Sequence, residues 1–279
     1  MIELTNDQLV VELLDPEKDF QLLGTRYTNG GSIYQIYDLQ LCSSSNSLPL
    51  LSGPTYPESY NTHDGQGIPD SFSSRPLFWG KDRETELILG VGVCDPAKNL
   101  ISKSKWITQR ESNSLIMFST RHQFFDGELI LTREVELHHR TIQSRTSVEN
   151  FSSHHASIAW YPHPFFPQPQ GHKLIRMNMP IPSQALVSTS YYNLAQDGWI
   201  YRTLDYPESG AYWALEHYCT SPLWLVLIHD QLGKISFETD YVPGFFPLWG
   251  NKKTLSFEPY MERQIPRKGS HRWSVSYHL

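Results

Sequence analysis

Two short motifs carry the residues best suited to moving a proton. In Trp160-Tyr161-Pro162-His163-Pro164-Phe165-Phe166-Pro167 an imidazole stands between two prolines and beside two phenylalanines. Each proline fixes its own φ, removes a backbone donor and pushes the residue before it towards an extended conformation. The segment therefore aims His163 in one direction, and imidazole is the side chain that most readily exchanges a proton near neutral pH. Its flat aromatic neighbours suit the C–H faces of a sugar ring. In Leu255-Ser256-Phe257-Glu258-Pro259-Tyr260 a carboxylate is followed at once by proline, which ends a ladder and puts Glu258 at a strand end. Desolvation by Phe257, Pro259 and Tyr260 would raise its proton affinity and make it a better base near neutrality. The alternatives are plain: a structurally hydrogen-bonded histidine, and an edge carboxylate paired with Lys252, Lys253 or Arg263.

The elements that must position these groups read as strands. Asp126-Gly127 between Leu115–Phe125 and Glu128–His139 is a strong hairpin signal. In its second arm Leu129, Leu131, Val135 and Leu137 alternate with Thr132, Glu134, Glu136 and His138, a period of two with one face buried. Arg26–Asp38 reads as a strand entered through a Gly30-Gly31 turn, and Leu87–Val93 as a single apolar strand. Further strands are expected at 141–148, 156–160, 212–216, 223–229, 234–238, 254–257 and 272–277. Helical periodicity is nearly absent. The expectation is an all-β chain, one large antiparallel β-sandwich domain over residues 1–279 with few or no helices. The segment from about 41 to 79, rich in Ser, Pro and Gly, is expected to be an ordered rim loop.

Composition narrows the function classes. A formal net charge of −6 with no basic run gives no electrostatic support for a nucleic-acid or anionic-membrane partner. The longest apolar run, Leu223–Ile228, is far short of the roughly 20 residues of a spanning helix. Met1–Phe20 has the pattern of neither a signal nor a transit peptide. Cys42, Cys94 and Cys219 are odd in number and widely spaced, which favours a reducing, cytoplasmic setting over a disulfide scaffold or thiolate zinc site. His138-His139 and His154-His155 offer one ligand each, because neighbours on a strand point to opposite faces, so no metal site is expected. Gly90-Val91-Gly92 and Gly24–Gly31 precede no helix that could bind a phosphate.

Taken in order, Gly30-Gly31-Ser32-Ile33, Asn150, Trp160-Tyr161-Pro162-His163-Pro164-Phe165-Phe166 and Phe257-Glu258-Pro259 resemble the aldose 1-epimerase (galactose mutarotase) superfamily, in its divergent branch. The resemblance implies a β-supersandwich with a sugar in a cleft, needing neither metal nor cofactor. It implies that Glu258 takes the proton of the anomeric hydroxyl while His163 protonates the ring oxygen, so that the ring opens, the aldehyde rotates and closure gives the other anomer. The substrate would be an aldose or a sugar phosphate, and the protein a monomer or homodimer. The scheme expects His163 and Glu258 to face each other across a pocket about as wide as one pyranose. It also implies a second histidine and an arginine on sugar oxygens. His63 is the candidate for the first, although Asp64 interrupts the family's His-Gly pattern, and Arg75 or Arg26 for the second. A solvated arginine is the alternative for each. The family's substrate-binding aspartate has no clear match among Asp197, Asp230 and Asp240, so an inactive carbohydrate-binding protein on the same fold is the second reading. A carbohydrate-cleaving enzyme would need a Tyr, Arg or second carboxylate beside Glu258.

Overall fold

The alternating strand Gly127–His138 is an interior strand of the largest sheet and keeps its period of two: Leu129, Leu131, Val135 and Leu137 are buried with Arg133 on the same face, while Ile130, Thr132, Glu134 and Glu136 between them are half-buried. The computed structural model describes residues 1–40, 48–51, 65–71, 78–79, 84–124, 127–179, 191–203, 206–207 and 210–279. Among them the only helix is the single turn Phe20–Leu23, and no helix is long and apolar enough to cross a membrane.

Ten antiparallel strands form that sheet. Trp106–Arg110, Leu115–Phe124, Gly127–His138 and Thr141–Asn150 follow one another, then Ser270–His278, Gly233–Thr239, Trp224–His229, Lys173–Met177, Trp199–Arg202 and Tyr192–Leu194. Two further sheets lie against it. One has seven strands, running Ile2–Thr5, Leu9–Leu13, Tyr27–Asp38, Ile68–Ser71, Ala156–Pro162 and Met261–Ile265, with Leu48–Pro49 attached to Tyr27–Asp38. The other has four, in the order Phe166–Pro167, Thr254–Phe257, Phe246–Gly250 and Ala211–Leu215. A second four-stranded sheet, Phe78–Trp79, Glu86–Ile88, Gly92–Cys94 and Leu100–Lys103, accounts for the remaining strands among the described residues.

The layers meet through large apolar side chains. Trp160 of the seven-stranded sheet meets Trp273 of the ten-stranded one at 5.4 Å between ring centroids. Phe166 and Phe257 of the four-stranded sheet pack on Tyr277 and Phe237. One polar knot crosses the interface. The buried Arg133 guanidinium pairs with Asp70, donates to the Gly30 carbonyl at 2.6 Å and to Ser144 Oγ at 3.0 Å, and lies over the Trp160 ring. Trp160 Nε1 donates to the same Asp70 carboxylate at 2.9 Å. A charge so far from water is tolerated only when it is paired and its hydrogen-bonding groups are satisfied.

Three expectations change. Leu87–Val93 is two strands, Glu86–Ile88 and Gly92–Cys94, because Gly90 takes φ +77° and turns the chain back on itself. Gly30 and Gly31 lie inside the strand Tyr27–Asp38, not before it, where the register against Ile68–Ser71 shifts between Thr28 and Ile33. The described part of the 41–79 segment is more than a rim loop. Leu50 and Leu51 are buried, and Ile68–Ser71 is an interior strand of the seven-stranded sheet. Pro69 hid that strand from the sequence, since proline argues against a central position.

Candidate active site

The pairing of two distant segments builds the site. Ala156 lies opposite Ile265 and Trp160 opposite Met261 in the seven-stranded sheet; Phe166 lies opposite Leu255 and Pro167 opposite Thr254 in the four-stranded one. The count from either end agrees, so the two segments run antiparallel in one unbroken register while passing from sheet to sheet. Three residues on from Trp160 and three back from Met261, His163 stands level with Glu258.

Prolines at 162, 164 and 259 remove donors in this seam, and the remaining amides bond outwards. The His163 N–H donates to the Pro69 carbonyl at 2.8 Å, the Phe165 N–H to Gly67 at 2.9 Å, and the Glu258 N–H to Pro247 at 3.0 Å. Gly67, at φ +83°, allows this: a Cβ there would sit 2.3 Å from the Ile33 carbonyl oxygen.

Cross-strand neighbours on one face of a sheet touch, and these do. His163 Nε2 is 3.2 Å from Glu258 Oε1, and the two side chains retain 9% and 8% of their exposure. Nδ1 of His163 is 3.1 Å from Ser256 Oγ. Alternate residues share a face, so Tyr161 and Phe165 flank His163 while Tyr260 and Ser256 flank Glu258. Tyr161 stacks on Tyr260 at 3.9 Å, and Phe165 stacks on His163 at 4.5 Å. Tyr27 and Trp249 close on the imidazole at 6.2 and 5.9 Å. Burial pushes the Glu258 carboxyl up to about 8, against the pull of the Arg26 charge. The expected pyranose-wide gap between imidazole and carboxylate is therefore absent. The register sets them side by side on one face, where a ligand would lie over the pair.

No protein-family model and no curated protein matches the sequence. Solved structures do match the fold. The galactose mutarotase related enzyme of Lactobacillus acidophilus superposes with a TM-score of 0.59 at 13% identity, covering 99% of this chain and 97% of that one. A galactose mutarotase-like protein of Lactobacillus casei gives 0.58 at 11%, over 100% and 99% of the two chains. The GalM/aldose epimerase homologue of C. elegans gives 0.55 at 12%, over 99% and 97%. This chain has the galactose mutarotase-like fold.

On that fold the sequence-derived candidates separate. His163 and Glu258 come together, and Arg26, lying over the Tyr27 ring at 5.2 Å, is near enough for its charge to act on Glu258. His63 and Arg75 lie outside the described residues. Asp197, Asp230 and Asp240 each serve a local contact: Asp197 accepts from the Trp199 amide, Asp230 from the Gln170 amide and Asp240 from the Ser274 amide. Asn150 is structural, its side chain tying the carbonyls of His154, Ile265 and Pro266.

Ser256 was missed by the sequence reading, although its position two residues before Glu258 on a strand puts both on one face. Trp249 became legible only through pairing, since it lies opposite Ser256. A second buried histidine shows the contrast. His122 Nε2 accepts from the Gly90 amide at 2.9 Å, which leaves Nδ1 to donate to Ser104 Oγ at 2.9 Å, and burial lowers it to about 4. Both nitrogens are engaged by the scaffold and the ring stays neutral. A cavity of about 980 Å³ at the Trp106–Arg110 edge of the ten-stranded sheet shares no lining residue with the His163–Glu258 pair.

Proposed function

We propose that the protein is an aldose 1-epimerase-type isomerase, one β-sandwich domain that interconverts the anomers of an aldose or a sugar phosphate by general acid–base ring opening. The observation that carries this reading is the 3.2 Å contact between His163 Nε2 and Glu258 Oε1 on one face of the sheet. Mutarotation needs a proton removed from the anomeric hydroxyl and one supplied to the ring oxygen. Those two oxygens are bonded to the same carbon, so adjacent groups on one face suit them better than groups on opposite walls.

The proton count supports the pairing. With one titrating proton shared by the two side chains, a neutral carboxylic acid beside a neutral imidazole and a carboxylate beside an imidazolium are the same protonation state of a coupled pair. The second form has Glu258 ready to accept and His163 ready to donate. Ring opening transfers one proton to Glu258 and one from His163, which produces the first form, and closure from the other face reverses both transfers. The cycle closes with no net proton taken from solvent. Ser256 at Nδ1 holds the imidazole so that Nε2 faces Glu258 and the ligand. The aromatic rings around the pair offer apolar faces to a pyranose, and Arg26 is the described candidate for holding sugar oxygens.

NMR exchange spectroscopy of freshly dissolved α-glucose, α-galactose and glucose 6-phosphate tests the proposal. Anomer exchange should exceed the buffer rate for at least one of them, and Glu258→Gln and His163→Asn should each reduce it by about 10²–10⁴-fold. Exchange that is unchanged in both variants removes the pair from the mechanism. Saturable sugar binding with exchange no faster than in buffer would instead leave a carbohydrate-binding protein on this fold.

A further inference from the structure

The face that presents Ser256 continues outward across the four-stranded sheet. Trp249 lies opposite Ser256, and Tyr212 lies opposite Trp249. Opposed residues of an antiparallel pair project to the same side, so Ser256, Trp249 and Tyr212 form one row at strand spacing, ~4.8 Å per step. The row starts at the proton-transfer pair, where His163 and Trp249 lie 5.9 Å apart and Phe165 meets Trp249 edge-on at 6.2 Å. It ends at Tyr212, which is 56% exposed while its neighbours Ala211 and Trp213 are buried. Burial and then the Glu258 charge raise the Tyr212 hydroxyl, which places this ring within electrostatic reach of the pair.

The row has a constructed element. Gly210, at φ +83°, brings its backbone against the Trp249 indole so closely that a Cβ would stand 2.7 Å from ring atoms. The indole is therefore packed tightly against the Gly210 backbone. A ring left more than half exposed beside this indole offers a flat apolar face with a polar tip.

We propose that Trp249 and Tyr212 form a second ring-binding subsite, so that the preferred ligand is a disaccharide or longer saccharide with its reducing-end ring over His163 and Glu258 and its next ring lying across Trp249 and Tyr212. The inference deepens the isomerase reading and rests on it for the placement of the reducing end. One strand step carries the platform about the width of one sugar ring beyond Trp249. Aromatic faces take the C–H faces of a pyranose without demanding particular hydroxyls, while the Tyr212 hydroxyl supplies one polar contact.

Anomer exchange of glucose, maltose and cellobiose is measured in the wild type and in Tyr212→Ala, together with titrations of each sugar followed by the Trp249 indole N–H signal in the Glu258→Gln variant and in the Glu258→Gln/Tyr212→Ala double variant. At least one disaccharide should bind about tenfold more tightly than glucose, and removal of Tyr212 should erase that advantage while leaving glucose binding and exchange unchanged. Equal affinity for glucose and both disaccharides, or a disaccharide advantage that survives the loss of Tyr212, overturns the subsite and leaves the isomerase reading standing. A Tyr212-dependent disaccharide advantage with no exchange of any sugar supports the subsite and removes the isomerase. Tyr212 is exposed, so its truncation should leave the thermal unfolding midpoint unchanged; loss of folding would overturn its assignment as a ligand-facing residue.

Discussion

Glu258 should make the folded protein less stable as pH rises, and the size of the effect follows from its position. Burial moves its carboxyl from an ordinary 4.5 to about 8. Below pH 4.5 the group is protonated in both folded and unfolded chains and contributes nothing. Between 4.5 and 8 the unfolded chain gives up the proton and the folded chain keeps it, so unfolding is favoured by ~1.4 kcal/mol per pH unit. The difference of 3.5 pH units corresponds to a cost approaching ~5 kcal/mol above pH 8, and to about 3 kcal/mol at pH 7. Glu258→Gln keeps the shape and removes the ionisation. Urea unfolding of wild type and Glu258→Gln at pH 5, 7 and 9 reads the titration of the His163–Glu258 pair, since every group outside the pair titrates in both proteins. The variant should gain less than about 1 kcal/mol at pH 5, about 3 kcal/mol at pH 7 and several kcal/mol at pH 9. A stability difference that stays flat with pH, or a variant less stable throughout, would refute the claim that burial controls this carboxyl. A destabilising group retained on a closed seam is the pattern expected of a functional site.

Other substitutions probe the support around it. Ser256→Ala should lower anomer exchange about tenfold and alter its pH profile while costing about 1 kcal/mol of stability, the worth of one hydrogen bond; an unchanged pH profile would deny it an orienting role. Arg133→Met leaves the buried Asp70 carboxylate without its cation and should cost about 3–5 kcal/mol in denaturant unfolding, most of it regained in the double variant Arg133→Met/Asp70→Leu. Gly67→Ala forces a Cβ against the Ile33 carbonyl at a positive φ, so a lowered unfolding midpoint and loss of exchange should appear together.

What could be read from the sequence was set by how local the signal is. The Gly127–His138 strand announced itself because buried and solvated residues alternate within one segment. His163 and Glu258 stood out because proline and aromatic neighbours constrain them locally. Ile68–Ser71 was illegible because Pro69 and the surrounding Ser- and Gly-rich stretch imitate a loop, while its burial comes from two partner strands far away in sequence. The distance between His163 and Glu258 was also beyond local reading. The family resemblance implied that both groups act together, but only the register could decide between opposite walls and adjacent neighbours. Trp249 and Tyr212 belong to the same class: nothing in Phe246–Gly250 or Ala211–Leu215 alone marks the face they share with Ser256.

The shared register of segments 156–167 and 254–265 makes residue count a functional property of this protein. A residue inserted at a hairpin tip lengthens a turn and leaves the ladders intact, whereas one inserted between Trp160 and His163, or between Glu258 and Met261, would slide imidazole past carboxylate and turn one of them towards the phenylalanines of the interior. Lengthening both segments together, by one residue at matching positions, would restore the alignment. The two motifs, remote along the chain, therefore tolerate changes of length only as a matched pair.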